Sequence, residues 1–281
     1  MIVWIASYPK SGNTWIRSLL TSYLYSNDGL FNFDLLKKIN QFPSPQYFKF
    51  FLKDFTNIKK VSDFWIAAQE RINLFNQDIT FLKTHSALCK LENNAFTNKA
   101  NTKGVIYIVR DPRNVITSFS HHYSMNIEKS FNFMTDKSNM LVGSEWGGKN
   151  FGIATILGNW SEHYKSWKNL KIAPILIIKY EDLLNDPKNS FIKIIKFLSQ
   201  FMKIEINEKK ITNTINSCSF DNLSQKEKSE GFEEAMTSPQ KEKINFFYLG
   251  KKNNWENLLD AKIEKKISKI FNDEMRELKY L

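Results

Sequence analysis

A short apolar run, Ile2 to Ala6, gives way at once to Pro9, Ser11 and Gly12, and then to a periodic stretch from Thr14 and Trp15. No other feature constrains this chain as much. An apolar run of that length bounded by turn residues reads as a buried strand, and the periodic stretch reads as an amphipathic helix. A strand that feeds a tight turn into a helix N-terminus makes an anion site. The N–H groups of the first helical turn lack intrahelical partners, and the helix dipole favours negative charge there. Lys10 adds a point charge and Ser11, Asn13 and Thr14 add donors, so the natural guest is a phosphate. The loop departs from the Walker A pattern, because Asn13 stands where that pattern has its lysine and Ser7 where it has its first glycine. Such a loop suits a single phosphate better than the tail of a triphosphate.

Three more segments open on a strand-like apolar run. Val105 to Val109 reads as a buried strand, Asp111-Pro112 as its turn, and Asn114 onward as a helix. Arg110 ends that strand and offers a planar fork matched to phosphate oxygens, with Ser118 a neutral donor on the following helix. Arg113 reads as a solvated arginine at the helix start. Phe81-Leu82 opens a short apolar run that ends in Lys83-Thr84-His85, and Ile175 to Lys179 is a further strand followed by an acidic turn. Strands alternating with helices predict an α/β fold of three layers, a central parallel sheet flanked by helices, with its chemistry at the carboxyl ends of the strands. Of the four histidines, His85 alone follows a strand with a lysine two residues earlier; His163 suits packing or a hydrogen bond.

Tyr8-Pro-Lys-Ser-Gly-Asn-Thr-Trp15 resembles the 5′-phosphosulfate loop of the soluble, cytosolic-type sulfotransferases, and Arg110 to Ser118 resembles their 3′-phosphate segment. Those enzymes move a sulfuryl group from 3′-phosphoadenosine 5′-phosphosulfate (PAPS) to an acceptor hydroxyl or amine, leaving adenosine 3′,5′-bisphosphate (PAP). The resemblance runs from about residue 2 to residue 260 and implies a P-loop-nucleotide-hydrolase-like sulfotransferase fold. It assigns donor binding to Lys10, Ser11, Gly12, Asn13, Thr14 and Trp15, and 3′-phosphate binding to Arg110 and Ser118. Tyr180 would contact the adenine and Phe220 stack on it. His85 would be the general base and Lys83 a neighbour of the reaction centre. Lys10 would stabilise the leaving phosphate, with Ser118 holding Lys10 away until the acceptor arrives. No metal is implied.

One departure bears on donor binding. The family's late loop reads Arg-Lys-Gly, two variable residues, then Gly-Asp-Trp-Lys-Asn, and its Arg and Lys clamp the 3′-phosphate. Anchored on Trp255 and Asn257, those cation positions are Tyr248 and Leu249, followed by Gly250 and Lys251 as remaining donor contacts. Lys252, Asn253 and Asn254 lie close enough in sequence to replace the clamp. Two readings from other classes stay open: a nucleotide- or polyanion-binding protein without transfer activity, and an ATP-dependent small-molecule kinase.

The remaining properties are permissive. The phosphate loops span all 281 residues, which predicts one domain with insertions about 30–75 and 125–157 and a lid about 224–252. The dense aromatic set of 30–75 reads as core or as an acceptor wall, and the second insertion carries Met134, Met140 and Trp146-Gly147-Gly148. The acceptor is expected to be a small molecule, a carbohydrate or a lipid. The net charge of +11 is spread over helices where Glu interrupts Lys, so a nucleic-acid partner is not expected. Cys89 and Cys218 form no disulfide or metal spacing, there is no basic-plus-apolar leader, and no run reaches the ~18–20 apolar residues of a membrane span. A cytoplasmic protein is expected, with its oligomeric state open.

Overall fold

The computed structural model describes residues 1–75, 78–142, 152–237 and 243–281. Five strands form its main sheet: β1 (Ile2–Ser7), β2 (Asn40–Gln41), β3 (Thr80–Thr84), β4 (Thr102–Val109) and β5 (Ile175–Lys179). They lie in the order β2-β3-β1-β4-β5, and every pairing is parallel. The helices that matter for the site and its support are α1 (Asn13–Tyr25), α2 (Trp65–Phe75), α3 (Pro112–His122), α4 (Trp160–Lys168), α5 (Pro187–Leu198), α6 (Glu208–Ser217), α7 (Phe220–Glu230) and α8 (Ala261–Ile270).

The strands read as unbroken apolar runs because both faces of the sheet are covered. Alternate side chains of β1 go opposite ways: Ile2, Trp4 and Ala6 join the core beneath α2, α3, α4 and α8, while Val3 and Ile5 join the core beneath α1, α5 and α6. Trp4 shows how the first layer is specified. Its ring meets Phe42 and Phe96 at centroid distances of 5.6 and 5.4 Å, and its indole N–H donates to Thr102 Oγ1 at 3.1 Å, so the one polar atom of a buried ring is satisfied. On the other face Ile16, Leu19 and Leu20 of α1 pack with Phe191, Ile194 and Ile195 of α5.

The aromatic set of 30–75 is largely core: Phe42, Phe48 and Trp65 are fully buried, whereas Phe50 is exposed. The residues of that stretch that reach the cleft described below are instead polar or proline, among them Asn40, Gln41 and Ser44. Arg113 departs from its sequence reading. It is buried, forms a two-point pair with Asp111 (Nη2 to Oδ2 2.8 Å) and lies 3.9 Å over the Trp255 ring. Two partners hold it inward: the helix-capping Asp111, and the Tyr280 carbonyl of the C-terminal segment, to which Arg113 Nη2 donates at 2.7 Å. Trp146-Gly147-Gly148 and residues 238–242 of the expected lid lie outside the described residues. Among the described residues no helix is long and apolar enough to cross a membrane.

Candidate active site

In a parallel sheet all strands end on one edge, so the segments after β1, β2, β3, β4 and β5 are brought together although they are far apart in sequence. They line a cleft of about 1080 Å³. Lys10, Gly12 and Trp15 reach it from the first loop, His85 from the end of β3, Arg110 from the end of β4 and Tyr180 from the end of β5. Asn13, Thr14, Lys83 and Ser118 line it too, as do Phe220, Gly250 and Lys251 from the later part of the chain. Ser11 is the one expected site residue that does not line it; it lies fully buried just behind the loop.

Local chemistry explains the loop. Gly12 caps α1 with φ 104°, and a Cβ there would come within 2.6 Å of the Tyr180 ring, so both backbone angle and space require glycine. Asn13 ties the helix start back to β1, donating from Nδ2 to the Ile5 carbonyl at 3.0 Å and to Ser7 Oγ at 3.2 Å. The hydroxyl of Ser11 and Nε of Arg110 are buried with no hydrogen-bond partner among the described residues. Buried donors left unpaired are costly, and for Arg110, which lines the cleft, an anion bound there would offset that cost.

Arg110 is held from two sides. Its guanidinium lies 4.2 Å from the centre of the Tyr180 ring, and Nη1 donates to the Lys10 carbonyl and to Ser118 Oγ, both at 3.1 Å. Trp15 meets Tyr180 edge-on at 5.6 Å. Phe220 lies against Gly250, where a Cβ would fall 2.7 Å from the ring at a φ of 55°. The Lys10 ammonium rests over the Phe246 ring at 3.7 Å rather than on Ser118. The Ser118 hydroxyl accepts from Arg110 and from Asn253.

His85 is oriented by hydrogen bonds that decide its tautomer. Its Nδ1 lies 2.8 Å from the Ser7 carbonyl, which can only accept, so Nδ1 carries the proton and Nε2 keeps its lone pair. Behind it, His163 Nε2 donates to the His85 carbonyl at 3.0 Å and Tyr107 hydroxyl donates to His163 Nδ1 at 2.8 Å. Burial, reinforced by the charge of Lys83, depresses the His85 imidazole to about 3, so the ring is neutral at ordinary pH. Burial likewise lowers Lys10 to about 7, with Arg110 and Lys83 adding to the fall and Glu234 opposing it.

Glu234 is the principal site residue that sequence reasoning missed. Its carboxylate accepts from Thr14 Oγ1 at 2.9 Å, Arg17 Nη1 at 2.5 Å and Lys83 Nζ at 3.2 Å. Nothing in the local string Gly231-Phe-Glu-Glu-Ala235 marks it. Burial pushes the Glu234 carboxyl up, but Lys83 and Arg17 outweigh burial and hold it well below 4.5. A depressed carboxyl adds stability that is complete above the unfolded value and is lost as pH falls through the folded one. Glu234→Gln is therefore expected to cost about 2–4 kcal/mol at pH 7, somewhat discounted because the side chain is 27% exposed. Urea midpoints of the two proteins should converge as the pH is lowered below 4.5. A gap that persists unchanged to pH 3 would show that the charge is not what matters.

Comparisons with known proteins bear on the family and the fold. A family model described as the sulfotransferase domain matches residues 2–279. The luciferin sulfotransferase of Photinus pyralis is 26% identical over 235 residues, covering 78% of this chain but 55% of that protein. The amine sulfotransferase of Oryctolagus cuniculus is 23% identical over 280 residues, 98% of this chain and 81% of that protein. Among solved structures, a mouse sulfotransferase complexed with PAP has a TM-score of 0.58 at 20% identity, covering 98% of this chain and 84% of that one. Retinol dehydratase in complex with androsterone and PAP also scores 0.58, at 18% identity, with 98% and 80% covered. At such identities the structural likeness is one of fold.

Proposed function

Because this chain belongs to the sulfotransferase family, we propose that it transfers a sulfuryl group from PAPS to a hydroxyl or amine of a small-molecule, carbohydrate or lipid acceptor. We read its 281 residues as one domain for that purpose. The observation that carries the proposal is the meeting of the Lys10 loop, the Arg110–Ser118 pair and a neutral His85 in one cleft.

His85 Nε2 takes the acceptor proton while the acceptor oxygen or nitrogen forms its bond to sulfur. The bond from sulfur to the bridging oxygen of the 5′-phosphate breaks in line, and the electron pair stays on that oxygen. Lys10 and the N–H groups at the start of α1 meet the charge that develops there. The products are PAP and the sulfated acceptor. Tyr180 and Phe220 supply flat faces for the adenine, and Arg110 with Ser118 supplies donors for the 3′-phosphate. Gln41, whose strand position pairs with Lys83, also lines the cleft.

Calorimetric titration tests the donor class. PAP is expected to bind at least tenfold more tightly than 5′-AMP, and ATP–Mg²⁺ more weakly than PAP, because one charge-assisted contact to the 3′-phosphate contributes about 1.5–3 kcal/mol. Equal affinity for PAP and 5′-AMP, or preference for ATP–Mg²⁺, would overturn the reading in favour of a different nucleotide.

A further inference from the structure

The loop after α7 lacks cations at Tyr248 and Leu249, yet it is not disengaged from Ser118. Tyr248 stacks flat on His121, with ring centres 3.5 Å apart and planes 8° from parallel. Five residues on, Asn253 is buried and enters the network of α3. Its Nδ2 donates to the Asn114 carbonyl at 3.1 Å and to Ser118 Oγ at 2.7 Å, and its Oδ1 accepts from Thr117 Oγ1 at 2.6 Å. The amide cannot be turned round, since the Asn114 carbonyl accepts only and must face the NH₂ group. The loop is pinned at the same place by Trp255 N–H donating to Asn114 Oδ1 at 2.8 Å.

We infer that Asn253 is the positioning residue that makes Ser118 an obligate donor to the 3′-phosphate, in place of a cationic clamp. A hydroxyl has one proton and two lone pairs. Both lone pairs of Ser118 are filled, by Arg110 Nη1 at 3.1 Å and Asn253 Nδ2 at 2.7 Å. No hydrogen bond donated by Ser118 is present among the described residues, so its proton is left for the cleft that Ser118 lines. Beside it, Arg110 is buried, forms no ion pair among the described residues and keeps Nε without a partner. One cation and one locked hydroxyl thus face the same space, and the amide that locks the hydroxyl is neutral. The inference rests on the donor being PAPS, as proposed above.

Binding of PAP and of 5′-AMP is measured for wild type, Asn253→Leu, Ser118→Ala and the double variant. Wild type must first prefer PAP; if it does not, the donor reading fails and this inference with it. Given that preference, Asn253→Leu is expected to weaken PAP about tenfold while leaving 5′-AMP unchanged, as is Ser118→Ala. The double variant should be no weaker than about tenfold to twentyfold, because both substitutions remove one contact. A loosened loop would lower both nucleotides together, and independent action would multiply to about a hundredfold; either result overturns the inference while leaving the donor reading standing. Should Asn253→Leu not fold, Asn253→Asp keeps the shape and obliges Ser118 to donate to the carboxylate. Its PAP preference is then expected to vanish with 5′-AMP binding intact, and a retained preference would overturn the inference.

Discussion

Replacing His85 by asparagine is expected to lower kcat by about 10²–10⁴-fold while leaving PAP affinity and the urea midpoint within twofold of wild type. The reason is geometric. The Nδ1 proton is committed to the Ser7 carbonyl, and Nε2 keeps its lone pair on a ring that lines the cleft at the end of β3. The wild-type pH profile should look unusual for a histidine base. The imidazole is held at about 3 by burial and by Lys83, with the Ser7 hydrogen bond opposing them. A base must be deprotonated to act, so on the acid side kcat/KM is expected to stay level down to about pH 4–5, with no acid limb at the free-histidine value of about 6.5. Substantial turnover by the asparagine variant, or an acid limb near 6.5 that vanishes in it, would sink the assignment or the burial argument respectively.

Lys10→Met is expected to lower kcat about 10²–10³-fold, the loss that follows removal of one preorganised donor to a developing oxyanion. Its pH signature is opposite in sign to that of His85. Lys10 acts as an ammonium, and burial lowers it to about 7, with Arg110 and Lys83 contributing and Glu234 opposing. In the free protein it therefore loses its charge as pH rises through about 7, and kcat/KM for the donor should fall there. Once the donor's negative charges are in place they favour the protonated lysine, so kcat should hold to higher pH. Superimposable basic limbs for kcat and kcat/KM would count against Lys10 as the leaving-group partner.

Much of the fold was legible because its signals are local. β1 runs Ile2–Ser7 and α1 starts at Asn13, close to the bounds read from the apolar run and the periodic stretch. The strand ending at Val109 begins three residues earlier than its apolar run, at Thr102, since Thr102, Lys103 and Gly104 extend it without adding to the apolar signal. The acidic segment Tyr180–Asn185 is a helical turn and not a loop. A sequence string shows Glu181 and Asp182 as turn formers, and they equally suit the first turn of a helix.

Site residues divide along the same line. Lys10 and Gly12 lie in the turn between β1 and α1, and His85 and Arg110 directly follow β3 and β4; such positions announce themselves where a short apolar run gives way to turn residues or a helical period. Arg113 and Glu234 do not. Arg113 is inward because the chain's last residues pass over it and supply the Tyr280 carbonyl. Glu234 reaches a lysine 151 positions away, a pairing that depends on how the segment after α7 folds back over the sheet edge.

From residue order alone come the layers, the parallel sheet and the phosphate-suited loop, since backbone propensity, burial periodicity and turn chemistry act over a few neighbours. Residue order also places a histidine and an arginine at strand ends. Folding in three dimensions is what gives those groups their charge states and partners. It sinks Lys10 to about 7 and His85 to about 3 by removing water. It brings Asn253 to Ser118 across 135 residues and Glu234 to Arg17 across 217. Desolvation and hydrogen bonds between remote segments have no local signature, and those are the terms that set the chemistry of this cleft.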